Sequence, residues 1–134
     1  MLTLISSAKT LDFAKAASSN VHTLPEFIVD SNFLAGELRK LSPNEISRLM
    51  GVSEQLGEVN AERYKLWQSE VTSSNAKQAL MAFKGDVYNA MDVESYKASD
   101  IKFAQAHLRI LSGLYGLLRP MDLIQPYRLE MAFK

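Results

Sequence analysis

The chain has 134 residues, 47% of them apolar, with 15 basic and 15 acidic side chains and no cysteine. That composition fits one ordinary globular domain and excludes a disordered tail, a disulfide scaffold, thiol catalysis, thiolate metal sites and a polycation drawn to nucleic acid by bulk charge. No apolar run approaches the ~18 residues of a membrane span and no signal peptide opens the chain, so a cytoplasmic protein without a membrane partner is expected.

Met1 to Ile5 is a short apolar run with a β-branched member, ended by Ser6-Ser7, and predicts a buried strand. Ala8 to Thr23 has no sustained period and predicts a loop, with one helical turn around Leu11 to Ala17. Pro25 and the recurrence of Phe27, Leu34, Leu38 and Leu41 predict a first helix running to Arg39-Lys40. Ser42-Pro43-Asn44-Glu45 is a capping box for a short helix that Gly51 stops, and Ser53 caps another that carries Leu56, Val59, Leu66 and Trp67. Ala76, Ala79, Leu80 and Phe83 predict a helix from Ser73 or Ser74, broken at Lys84-Gly85-Asp86.

From Ser99 a further helix is predicted by Ile101, Ala104, Leu108 and Leu111, ending at Gly113. Leu114 to Pro120 is apolar but holds a glycine and a proline, which predicts a turn-rich connection. Tyr127, Leu129, Met131 and Phe133 alternate and predict a C-terminal strand. The expected class is α+β, a mixed α/β shape rich in helices with a short N-terminal and a C-terminal strand in a small sheet.

Motifs for a serine hydrolase, a zinc protease, a phosphate-binding P-loop and a dinucleotide fold are all missing from the sequence. His107 shares a helical face with Phe103 and Leu111, which predicts a largely buried, hydrogen-bonded imidazole; His22 is expected at the surface. No metal and no cofactor is expected. Residues 101–134 carry 5 basic side chains (Lys102, Arg109, Arg119, Arg128, Lys134) against 2 acidic ones, whereas residues 1–100 carry 10 against 13. The asymmetry points to an anionic partner at the C-terminal end.

Three segments could meet such a partner. Lys9 and Thr10 follow a strand end, where α/β proteins present functional groups, and Lys9 could neutralise a phosphate or stand solvated. Lys84-Gly85 allows close backbone approach of an anion, although helices also end in Lys-Gly. Leu111 to Gly116, followed by Arg119, has the plan of a helix-hairpin-helix near residues 101–125, whose turn amides bind a DNA phosphate without reading a base. The same residues also fit a glycine helix cap, with positive φ at Gly113, followed by a tight turn.

Taken in order, Ile5-Ser6-Ser7-Ala8-Lys9-Thr10-Leu11-Asp12-Phe13, Ala82-Phe83-Lys84-Gly85-Asp86-Val87-Tyr88, and Leu111 to Pro120 followed by Gln125-Pro126-Tyr127-Arg128-Leu129-Glu130-Met131 resemble the YaaA family of bacterial peroxide-stress proteins. The resemblance implies a cytosolic protein that binds double-stranded DNA without sequence preference and limits iron-dependent damage by hydrogen peroxide. It also implies a mixed α/β fold with a basic cleft and a helix-hairpin-helix. Family members are about twice this long, so residues 1–134 form one domain that resembles the N-terminal part of a longer fold. Where this chain has Ser7 the family commonly has proline, and where it has Ala132 the family has glycine. The expected nucleic-acid contacts are Lys9, Thr10, Lys84, Gly85, Arg109, Gly113, Leu114, Tyr115, Gly116, Arg119 and Arg128, with no catalytic residue. The competing expectations are an enzyme or small-ligand protein with its site at Lys9 and Thr10, and a fragment without full activity.

Overall fold

The computed structural model describes residues 1–14, 17 and 21–129. The helix α1 (Ile28–Arg39) starts after Phe27 without a side-chain cap, later than Pro25, whereas α2 (Pro43–Met50) and α3 (Glu54–Lys65) form where the capping signals lie. Ser42 Oγ accepts from the amide of Glu45 while the amide of Ser42 donates to the Glu45 carboxylate, both at 3.2 Å. Pro43 occupies the first turn, where its missing N–H costs nothing, and Gly51 ends α2 in the left-handed region with φ 64°. Ser53 caps α3 through the Leu56 amide. The two helices pack at close range because Gly57 has no side chain: a Cβ there would lie 2.6 Å from the Pro43 carbonyl oxygen.

The main sheet joins the chain's first strand to its late segments. β1 (Thr3–Ser6) runs parallel to a five-residue strand, Leu108–Ser112, which in turn pairs antiparallel with Gly116–Leu118. Two small antiparallel ladders surround it, Thr10–Leu11 with Phe83–Lys84 and Lys77–Gln78 with Leu123–Ile124. In chain order the strands are thus β2 (Thr10–Leu11), β3 (Lys77–Gln78), β4 (Phe83–Lys84), β5 (Leu108–Ser112), β6 (Gly116–Leu118) and β7 (Leu123–Ile124). One helical turn, α4 (Ala79–Ala82), separates β3 from β4; α5 (Asp86–Met91), a 3-10 turn at Val93–Ser95 and α6 (Ala98–His107) follow. The mixed α+β class holds.

Several expectations change in detail. The helix from Ser99 stops at His107, and Leu108–Ser112 is a strand. Leu108, Ile110 and Ser112 also alternate, and pairing with β1 and β6 settles the ambiguity in favour of β. The predicted helix-hairpin-helix is therefore a helix followed by a β-hairpin. Its left-handed residue is Gly116, φ 72°, and not Gly113; a Cβ at Gly116 would come within 3.3 Å of the Phe27 ring. The helix predicted from Ser73 shrinks to α4, because Lys77–Gln78 and Phe83–Lys84 are held by strand partners. The helical turn around Leu11 gives way to β2, residues 15 and 16 lying outside the described residues. Of the predicted C-terminal strand, Tyr127 to Leu129 are irregular and residues 130–133 lie outside the described residues.

The core is strongly aromatic. Trp67 meets Tyr115 at 5.7 Å, Tyr115 meets Tyr127 edge-on at 5.3 Å, and Phe83 touches both Tyr127 and Tyr88. Such tilted and T-shaped pairs are the preferred geometries of ring quadrupoles, and they tie Trp67 just after α3, β4, α5 and the β5–β6 hairpin to the segment after β7.

Candidate anion-binding site

Parallel pairing brings the carboxyl ends of β1 and β5 side by side, the part of a sheet where a chain leaves its ladder and side chains become available. The Ser7 amide extends the pair by donating to the Leu111 carbonyl at 3.1 Å. Beneath this end lies the Tyr127 phenol, 2.6 Å from Ser112 Oγ. Ser112 Oγ in turn accepts from the Tyr115 amide. Burial pushes the Tyr127 phenol up to about 12, opposed by the Ser112 and Ser7 hydroxyls. Two further phenols brace the corner: Tyr88 donates to the Ser6 carbonyl at 2.6 Å and Tyr64 to the Arg128 carbonyl at 2.7 Å. Burial raises both above the ordinary tyrosine value.

Over these hydroxyls opens a pocket of about 170 Å³ lined by Ser7, Ala8, Lys9, Tyr127, Arg128 and Leu129. Lys9 and Arg128 thus line one cavity although they are far apart in sequence. Lys84 is close by: it pairs with Thr10 across the β2–β4 ladder, and Ala8 Cβ is 3.7 Å from where a Cβ of Gly85 would stand. Gly85 has φ 152°, a conformation that L side chains rarely adopt. Lys84 itself lines a separate pocket of about 230 Å³ with Tyr88, Asn89 and Asp92. Lys9, Thr10, Lys84, Gly85 and Arg128 are therefore brought into one corner.

Arg63, which the sequence did not single out, belongs to the same corner. It projects from the last turn of α3, donating to Asn60 Oδ1 at 3.2 Å and toward the Tyr127 carbonyl at 3.4 Å. Desolvation first, and then repulsion from Arg128, lowers its pKa from the ordinary arginine value, while the Tyr64 phenol opposes that shift. Nothing in its helical spacing marks it, since a basic residue in a last helical turn is ordinary. The roles of Ser7, Ser112 and Tyr127 were equally hidden, for Ser7 reaches the Ser112–Tyr127 bond only through the pairing of β1 with β5.

The remaining expected contacts are elsewhere. Arg109 stands opposite Leu4 in the β1–β5 register, with its guanidinium on the carbonyls of Gln105 and Leu108, both at 2.7 Å. Leu114 and Tyr115 are buried, the amide of Tyr115 is taken by Ser112, and the Leu114 carbonyl accepts from Ser31. The two central residues of the hairpin turn thus face α1 and the core, while Gly113 is half-buried and Gly116 exposed. Arg119 closes onto Asp122, Nη2 to Oδ1 at 3.0 Å, and donates to the Leu24 carbonyl at 2.7 Å. His107 is half-buried, bonded through Nδ1 to the Phe103 carbonyl and stacked on the Phe103 ring at 4.2 Å; His22 is exposed.

Among the described residues no three His, Cys, Asp or Glu side chains group to hold a metal ion, and no helix is long and apolar enough to cross a membrane. Fold and corner together define a mixed α+β protein with a small pocket, floored by hydroxyls and rimmed by cations, at the ends of a parallel strand pair. Residues 1–134 match the family model of the peroxide stress protein YaaA, and the chain belongs to that family. Its general role is accordingly in resistance to peroxide stress.

Proposed function

We propose that the protein binds double-stranded DNA through its phosphate backbone, without strong base preference, and that this binding is its part in resisting peroxide. The observation that carries the reading is the meeting of Lys9 and Arg128 on one pocket, with Lys84 and Arg63 beside them. Cations gathered from four separate segments suit a polyanion better than a single carboxylate. Thr10 and the open backbone at Gly85 can add uncharged contacts to phosphate oxygens, which position a protein without reading sequence. Arg109, Arg119 and the Gly113–Gly116 turn carry no part of this reading, because their polar groups serve the fold.

A link to iron follows from the same physics. A protein that neutralises phosphates releases the cations condensed on them, ferrous ions included, and so moves the site of peroxide chemistry away from the sugar and bases. Titration of the chain with an unrelated pair of duplexes across salt concentrations tests the reading. Four phosphate contacts give a slope of log K against log salt of about −3.6. Equal affinities at fixed salt are expected; failure to bind either duplex, or a strong preference for one, overturns it.

A further inference from the structure

We infer that a groove beside α6 binds a small amphiphile, an apolar body with one anionic head, of the class of a free alkyl carboxylate. The inference is independent of the DNA reading, for the groove shares no lining residue with the Lys9–Arg128 pocket. Its volume is about 660 Å³, inside the roughly 300–1,000 Å³ of pockets that enclose whole small molecules. Helical spacing builds one side of it: Ala98, Ile101, Lys102 and Gln105 stand at i, i+3, i+4 and i+7 and share a face of α6. Val21, Thr23 and Met121 line it from other segments. Gln105 ties the two sides together, its Oε1 accepting from the Met121 amide at 2.9 Å and its Nε2 donating to Thr23 Oγ1 at 3.1 Å. The Thr23 hydroxyl is spent in turn on Asp122, at 2.6 Å. These polar groups serve the fold, so a ligand's body meets the apolar surface of Val21, Ile101, Met121 and the α6 alanines.

The head follows from the two polar side chains that the fold does not use. Lys102 and Tyr96 both line the groove, and among the described residues neither the ammonium nor the phenol has a hydrogen-bond or ion-pair partner. Lys102 is the one charged side chain among the described lining residues, so the complementary head carries a single negative charge. A carboxylate has that charge and two acceptor oxygens, enough for the ammonium and for the proton of the phenol. A cationic head would be repelled, and a neutral one would forgo the ion pair. The body is less narrowly defined. Met121, 1% exposed, is unbranched and polarisable and adapts to chains of different outline.

The test titrates isotope-labelled protein with octanoate, octanol and octylamine, at neutral pH and below micelle formation, and follows the backbone amide signals by NMR. Octanoate is expected to move the amides of Thr23, Ile101, Gln105 and Met121. It should bind about five-fold tighter than octanol, as an ion pair to an exposed lysine allows, and octylamine should bind weakest. Ala106→Trp fills the groove from an exposed position on α6 and should abolish the shifts from all three, with Tm unchanged. Lys102→Gln should leave octanol binding as it was and bring octanoate down to the same affinity, a pattern that damage to the fold does not produce. Equal affinities for the three heads overturn the inference. So do octanoate shifts centred on Lys9 and Arg128, or a preference for octanoate that survives Lys102→Gln. Absence of shifts with all three overturns it as well.

Discussion

Arg119 and Arg128 lie close together in sequence, both beyond the same β-hairpin, and the fold places them in different settings. Arg119 meets a carboxylate that is 0% exposed: Asp122 accepts from its backbone amide at 2.8 Å, from Nε at 3.2 Å and from the Thr23 hydroxyl at 2.6 Å. Arg128 sits among like charges at a pocket mouth, its carbonyl fixed by Tyr64. The guanidinium is the same in both places. What differs is the setting: Arg119 closes onto a fully buried carboxylate, whereas Arg128 lines a pocket beside a second guanidinium, Arg63.

The largest effect expected on the Arg119 side is from Asp122→Ala. It strands a guanidinium, a backbone amide and the Thr23 hydroxyl at once, and should lower stability by about 3–5 kcal/mol in urea unfolding. A loss below about 1 kcal/mol would break the description of this region as a fastening. The Arg128 side has its own signature in alkali. Tyr64, Tyr88, Tyr115 and Tyr127 all have phenols raised above the unfolded value near 10, Tyr127 to about 12, with burial the first cause in each. Raised acids favour the fold while they stay protonated. The stability they confer is complete below pH 10 and falls as pH climbs through 12, so Tm should be flat from pH 8 to 9.5 and drop steeply by pH 11.5.

Smaller changes sharpen the contrast. Arg119→Ala keeps the backbone and Thr23 contacts to Asp122, and should cost about 1–2 kcal/mol with the DNA salt slope untouched. Lys9→Ala, at an exposed position, should do the reverse: stability changes by less than ~0.5 kcal/mol while the slope falls by about one unit. If Arg119→Ala lowers the slope and Lys9→Ala does not, the two regions have been assigned the wrong way round.

Helices α2 and α3 were legible because every local signal agreed. Ser42, Pro43, Glu45, Gly51 and Ser53 each act within a few residues, and no distant partner is needed to interpret them. Leu108 to Ser112 carried two periods at once, and only β1, about a hundred residues away, selects the strand. Two-residue strands such as β3 and β7 hold too little pattern to be read at all. In the site, Lys9 and Lys84 could be picked out as strand-end or glycine-flanked cations. Their meeting with Arg128, and the presence of Arg63 and the Ser7–Tyr127–Ser112 hydroxyls, belong to tertiary structure alone.

The parallel pairing of β1 with β5 also sets an order of events. β1 is made first, yet its ladder partner emerges from synthesis about a hundred residues later. Closing a loop of that length costs entropy before any contact repays it, which places β1 among the last elements to dock, after the local α2–α3 hairpin has formed. Until then an apolar strand without proline or charge waits unpaired, as good a template for another nascent chain as for its own β5. The pocket that Ser7 and Lys9 line is consequently completed at the end of folding, once they meet Tyr127, Arg128 and Leu129.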